Sequence, residues 1–139
     1  MNVLKSLLLA LPLLGLTACA EHMQMVKARD AQDLAEFKRF AGEPIKRVRG
    51  FTPIDRWRSF DDQNFAIWIG TNRAYLISLR RPCFDLHHQL QIRITGGTGT
   101  VDSMLSRVEF DQQRCRIQEI RPLDDKARRA ERLTVAANF

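Results

Sequence analysis

The chain has 139 residues, with 22 Lys and Arg against 16 Asp and Glu, a net charge of +6 and a pI near 9.8. Its length suits one domain with one core. In a cytosolic protein that charge would suggest a nucleic-acid partner, but the first twenty residues argue for export and so against one.

Lys5 gives a positive start, residues 6–16 an apolar run, and Thr17 and Ala18 the small residues before a cleavage point, the three parts of a secretory leader. The run is too short for a membrane span, because roughly 30 Å of hydrocarbon takes about 20 helical residues. Leu16-Thr17-Ala18-Cys19 resembles the bacterial lipobox. The resemblance implies cleavage before Cys19, diacylglycerol on its sulfur and a further fatty-acyl chain, such as palmitate, on the new amino group. Each buried CH₂ contributes about 0.8 kcal/mol, so such an anchor does not let go. Ala20 stands where an inner-membrane lipoprotein has aspartate, which implies the inner leaflet of the outer membrane, facing the periplasm. The competing reading is a plain secreted protein with a cysteine at its cleavage site. On the first reading the chain divides into a leader (1–18), a lipidated tether (19–27), one globular domain (28–133) and a loose end (134–139).

The cysteines are Cys19, Cys83 and Cys115. An exported protein with an odd number has a thiol to explain. Acylation of Cys19 leaves an even pair in a compartment that permits disulfides. A Cys83–Cys115 bridge closes a loop of about 33 residues, worth roughly 3.5–4 kcal/mol on the chain-entropy estimate; two buried thiols are the alternative.

In the tether, His22, Met23 and Met25 are ligand types suited to copper, in a stretch with no apolar periodicity. Residues 28–41 predict a helix, with Asp30 and Asp33 early, Lys38 and Arg39 late, and Gly42 as its stop. Leu34, Phe37, Phe40 and Ala41 share one arc, which fits a helix covering a sheet. From residue 45 to 120 the period becomes two. Strands are expected at 45–51, 56–60, 65–69, 74–79, 90–95, at Val108 and Phe110, and at Cys115 and Ile117, with turns at 60–64, 70–73 and 111–114. Residues 124–133 predict a closing helix whose apolar face (Ala127, Ala130, Leu133) is thin, so that it is exposed and frays. The fold class is therefore α+β, mainly β: an N-terminal helix and an antiparallel meander of about six or seven strands, as a sheet or half-barrel.

Trp57, then Tyr75-Leu76-Ile77-Ser78-Leu79 followed by Cys83, and Cys115-Arg116-Ile117-Gln118-Glu119-Ile120 resemble a domain-of-unknown-function family of proteobacterial envelope lipoproteins. The resemblance spans roughly residues 45–123 and implies fold and location; it carries over no catalytic residue.

Candidate chemistry is sparse. The glycines of residues 95–100 match neither GxGxxG nor GxxxxGK, have no lysine after them and lie between strands, so they read as a mobile hairpin tip rather than a phosphate cradle. Cys83, Asp85, His87 and His88 are metal-ligand types in a short span, with Asp85 and His87 on one face of an extended chain; the alternative is ordinary surface histidines and an oxidised Cys83. No GxSxG or HExxH is present, and Asp61-Asp62 and Asp124-Asp125 sit where turn or helix-start residues belong. Arg47, Arg49, Arg56 and Arg58 interleave with Phe51, Trp57 and Phe60, either as a surface for anionic glycans or headgroups or as outward arginines over a core. The expectation is a non-enzymatic binding module without cofactor, membrane-anchored, meeting an envelope protein or an anionic envelope component and no nucleic acid. A periplasmic copper or zinc handler is the second reading and an envelope enzyme the third.

Overall fold

The computed structural model describes residues 2–51 and 53–138, with side chains from Cys19 onward. The leader and the lipobox positions before Cys19 fall on residues 1–18, whose side chains lie outside the described residues. Helix α1 (Asn2–Arg39) is followed by β1 (Arg47–Arg49), β2 (Arg56–Ser59), β3 (Asn64–Ile69) and β4 (Arg73–Leu79). A 3-10 turn (Leu86–His88) leads to β5 (Arg93–Thr95), β6 (Thr100–Asp102), β7 (Arg107–Phe110), β8 (Gln113–Pro122) and α2 (Asp125–Ala137). Six strands form one antiparallel half-barrel in the order β2-β3-β4-β8-β7-β5, and β1 and β6 make a separate two-stranded ribbon. Among the described residues, no helix is long and apolar enough to cross a membrane.

Alternation puts Phe65, Ile67, Ile69 and Ile77 on the concave side of the sheet, where they meet Ile117, Ile120, Val108, Leu86 and the ribbon's Val48 and Val101. On the convex side Ala66, Trp68, Ala74 and Leu76 face α1, whose Phe37 is buried against Phe60 and Trp68 at ring separations of 4.7 and 6.1 Å. Strands β3 and β4 are thus apolar on both faces because both are covered. Opposite Ser78 and Leu79, β8 carries Gln118 as an extra residue, a bulge that bends the sheet.

The α+β, mainly β class and the half-barrel are as the sequence predicts. Several details differ. The helix does not begin at residue 28: it runs unbroken through 19–27, which are exposed. Those positions lack an apolar stripe, yet Ala20, Glu21, Met23, Gln24 and Lys27 are good helix formers with no breaker among them. The strand expected at 90–95 is confined to 93–95, and Leu90 is 92% exposed. Its carbonyl is taken by the Trp57 indole N–H at 3.2 Å, which closes the seam between β2 and the start of β5 and gives the concave side to Trp57. Residues 96–99 are not a hairpin tip, since β5 and β6 never pair. They carry the chain from the large sheet to the ribbon. A Cβ on Gly96 would lie 2.2 Å from Ser106 Oγ, and Gly99, at φ +66°, gives its carbonyl to Phe51 N–H. The closing helix continues to Ala137, capped by the Asp124 carboxylate on the Ala127 N–H.

Candidate functional site

Two groups of arginines stand out. Several around the helices are consumed by the protein's own carboxylates and rings. Arg128, 7% exposed, bonds Asp125 at 2.8 Å and Glu36 at 2.9 Å and stacks on Phe37 at 4.2 Å. Arg132 spans Glu36 and Asp33 at 2.8 Å each, Arg58 pairs with Asp33, and Arg47 with Asp102. Arg56 lies over Trp68 at 4.3 Å, and Trp68 gives its indole N–H to Asp125 at 2.8 Å. Burial pushes the Glu36 carboxyl up, but the Arg132 and Arg128 hydrogen bonds outweigh it and hold the group below the ordinary range. Asp125 behaves alike: burial raises it, and the bonds from Trp68 and Arg128 bring it down past its usual value. This network fastens α2, whose apolar face is indeed thin, to α1 and β3. Of the arginine-aromatic pattern of residues 47–60, Arg47, Arg56 and Arg58 are engaged internally and Arg49 is exposed.

The second group lies on the convex side of β5, β7 and β8, which no helix covers. The two-residue turn Asp111-Gln112, with Asp111 at φ 47°, sets the β7–β8 register. That register puts Arg107 opposite Arg116 and Glu109 opposite Arg114, with Arg93 beyond Glu109 on β5. Arg80 follows β4 and is held beside Arg116 by its backbone N–H on the Arg116 carbonyl, 2.9 Å. The Cys83–Cys115 disulfide, Cα atoms 6.0 Å apart, ties the 80–83 segment to β8. A cleft of about 430 Å³ results, lined by Arg80, Arg81, Pro82, Arg114, Cys115 and Arg116. Glu109 answers Arg114 at 3.1 Å; among the described residues Arg80, Arg81, Arg107 and Arg116 make no ion pair, and all four are exposed. Directly opposed like charges destabilise a sheet, so the Arg107–Arg116 pair is a cost that nothing within the fold offsets.

The other candidates separate. Cys19 is a free, exposed cysteine on α1. Met23 and Met25 are two positions apart on that helix and point to different sides. Asp85 takes a left-handed backbone (φ 68°) at the start of the 3-10 turn, so it does not share a face with His87, and its carboxylate turns to Gln89. His87 reaches Ser59 Oγ through Nδ1 at 3.1 Å and Asp30 through Nε2 at 3.5 Å, while the ring of the exposed His88 meets it edge-on. Among the described residues, no three His, Cys, Asp or Glu side chains converge as metal ligands. Ser59, His87 and Asp30 have the residue types of a hydrolase triad, but Ser59 lies on the inward face of β2 and Asp30 also answers Arg58 at 3.7 Å. The cavity of about 620 Å³ beside α1 is lined by Leu34, Phe60, Asp62 and His87, not by Ser59. Asp61 and Asp62 are turn residues: Asp61 accepts from the Gln63 and Asn64 N–H groups and Asp62 from the His87 N–H.

The convex arginine face escaped the sequence reading. Its signal was present in the alternation of Arg107 with Val108 and of Arg116 with Ile117, yet only the hairpin register shows that the two arginines meet. Neither the curated proteins nor the solved structures hold a match to the chain. A family model does, over residues 2–138, and its description is a family of unknown function, DUF6491. The chain belongs to that family.

Proposed function

We propose that this protein is a lipid-anchored module of the bacterial envelope, held by acyl chains on Cys19 at the periplasmic side of the outer membrane, which binds an anionic envelope component rather than catalysing a reaction. The observation that carries the binding half is the convex face of β5, β7 and β8, where Arg80, Arg81, Arg107 and Arg116 are exposed beside one another with no carboxylate partner among the described residues. The anchoring half is supported by Leu16-Thr17-Ala18-Cys19 and by the exposed, unpaired Cys19. The Cys83–Cys115 bond fits a compartment that oxidises thiols.

Each half has its own test. Intact-mass measurement on detergent-extracted protein from bacteria expressing the full chain is expected to give a chain beginning at Cys19 with acyl mass added. An unacylated thiol or an uncleaved leader removes the anchor. On a phosphate-bearing ion-exchange resin at low salt, Arg81→Gln/Arg116→Gln is expected to elute well before the unaltered protein, and coincident elution removes the arginine face.

A further inference from the structure

We propose that the convex face of β5, β7 and β8 docks on an anionic phospholipid bilayer, with Arg80, Arg81, Arg107, Arg114 and Arg116 on the headgroup phosphates and Phe84 in the interfacial layer. This rests on the arginine face being the contact surface and is independent of acylation at Cys19.

Three observations point to a plane of phosphates. Arg80, Arg81, Arg114 and Arg116 line one open cleft and Arg107 stands beside it opposite Arg116, so the face carries more guanidinium charge than a single phosphate would neutralise. Every basic group on this face is arginine, whose planar fork pairs with phosphate oxygens two at a time. An exposed apolar side chain also stands beside the hairpin end of the face. Phe84, 80% exposed, follows the bridged Cys83, and its carbonyl is fixed by Gln113 Nε2 at 2.8 Å, at the β7–β8 hairpin end. An apolar body beside a cationic rim suits the boundary between headgroups and acyl chains.

The test uses the full chain with Cys19→Ser, which blocks acylation, in flotation with phosphatidylcholine vesicles and with vesicles also containing phosphatidylglycerol. The apolar leader binds both compositions, so the excess on the anionic one reads the arginine face. Each basic residue near an anionic surface is worth about five-fold in partition, so Arg81→Gln/Arg116→Gln is expected to lower the excess about twenty-five-fold at low salt. A second pair, Arg80→Gln/Arg107→Gln, is expected to do the same with the melting temperature kept. Arg29→Gln/Arg49→Gln, exposed arginines off the face, retains more of the excess than either pair. Phe84→Ala lowers binding to both compositions. No preference for the anionic vesicles, or an equal fall in the control pair, overturns the proposal. Equal binding to both compositions with release by inorganic phosphate, but not by chloride at matched ionic strength, assigns the arginines to a free anion and also overturns it. Retention on the phosphate resin with no vesicle preference would sink the bilayer and leave the anion-binding reading standing.

Discussion

Arg128 is where both helices and the sheet meet. It belongs to α2, bonds Glu36 of α1, lies on the Phe37 ring, and shares Asp125 with the Trp68 indole of β3. Arg128→Ala leaves Glu36 to Arg132 and Asp125 to the Trp68 indole and Arg129, so the loss is that of the buried hydrogen bonds and the ring contact, about 1–3 kcal/mol. The expected result is a lower urea midpoint and loss of α2 signal in hydrogen exchange. Acid acts on the same contact. Glu36 and Asp125 ionise more readily in the folded chain than in the unfolded one. Their contribution is therefore present above the unfolded value of about 4 and disappears as pH falls below it. The melting temperature should hold from neutral pH down to about 5 and then drop, and Glu36→Gln/Asp125→Asn should flatten that drop. None of this was legible in the sequence. Arginine and aspartate in a closing helix read as solvent-facing, because charged side chains are rarely buried unless paired, and the partners are far apart along the chain. The cysteines were legible for the converse reason: with Cys19 set aside, only one pairing is left.

At the scale of elements, the disulfide joins the segment that follows β4 to the first half of β8, the strand that β4 pairs with. Its main effect is on the unfolded chain, where closing a loop of about 33 residues is worth roughly 3.5–4 kcal/mol. Cys83→Ala/Cys115→Ala should lower stability by about that much while keeping the sheet, which urea titration and far-ultraviolet circular dichroism together would check. Strand positions were mostly readable, since one covered face imposes a period of two. The exceptions are instructive. Leu90 has the right spacing for a strand, but Trp57 already fills that part of the interior and takes its carbonyl. Residues 19–27 have helix propensity without a packed face, and a periodicity search is blind to that combination.

For the whole molecule, two apolar clusters lie on opposite sides of one sheet, and β3 and β4 supply both. Phe65 and Ile67 belong to one, Ala66 and Trp68 to the other, so loss of these strands takes both clusters apart together. Trp57 reports on the concave side and Trp68 on the convex. Melting followed by fluorescence in Trp57→Phe and in Trp68→Phe should therefore coincide with the loss of circular dichroism. Separate transitions would mean that the helices leave independently. The ribbon was the least legible part: β1 meets β6 across 55 residues of sequence at Arg47 and Asp102, and nothing local in either segment names its partner. The sulfur staple also has a consequence in time. While the thiols remain reduced, the Arg80-Arg81 segment lacks one of the ties that hold it to β8 beside Arg114 and Arg116. On the proposed reading, a chain whose thiols are still reduced is expected to leave the phosphate resin at lower salt than the oxidised one.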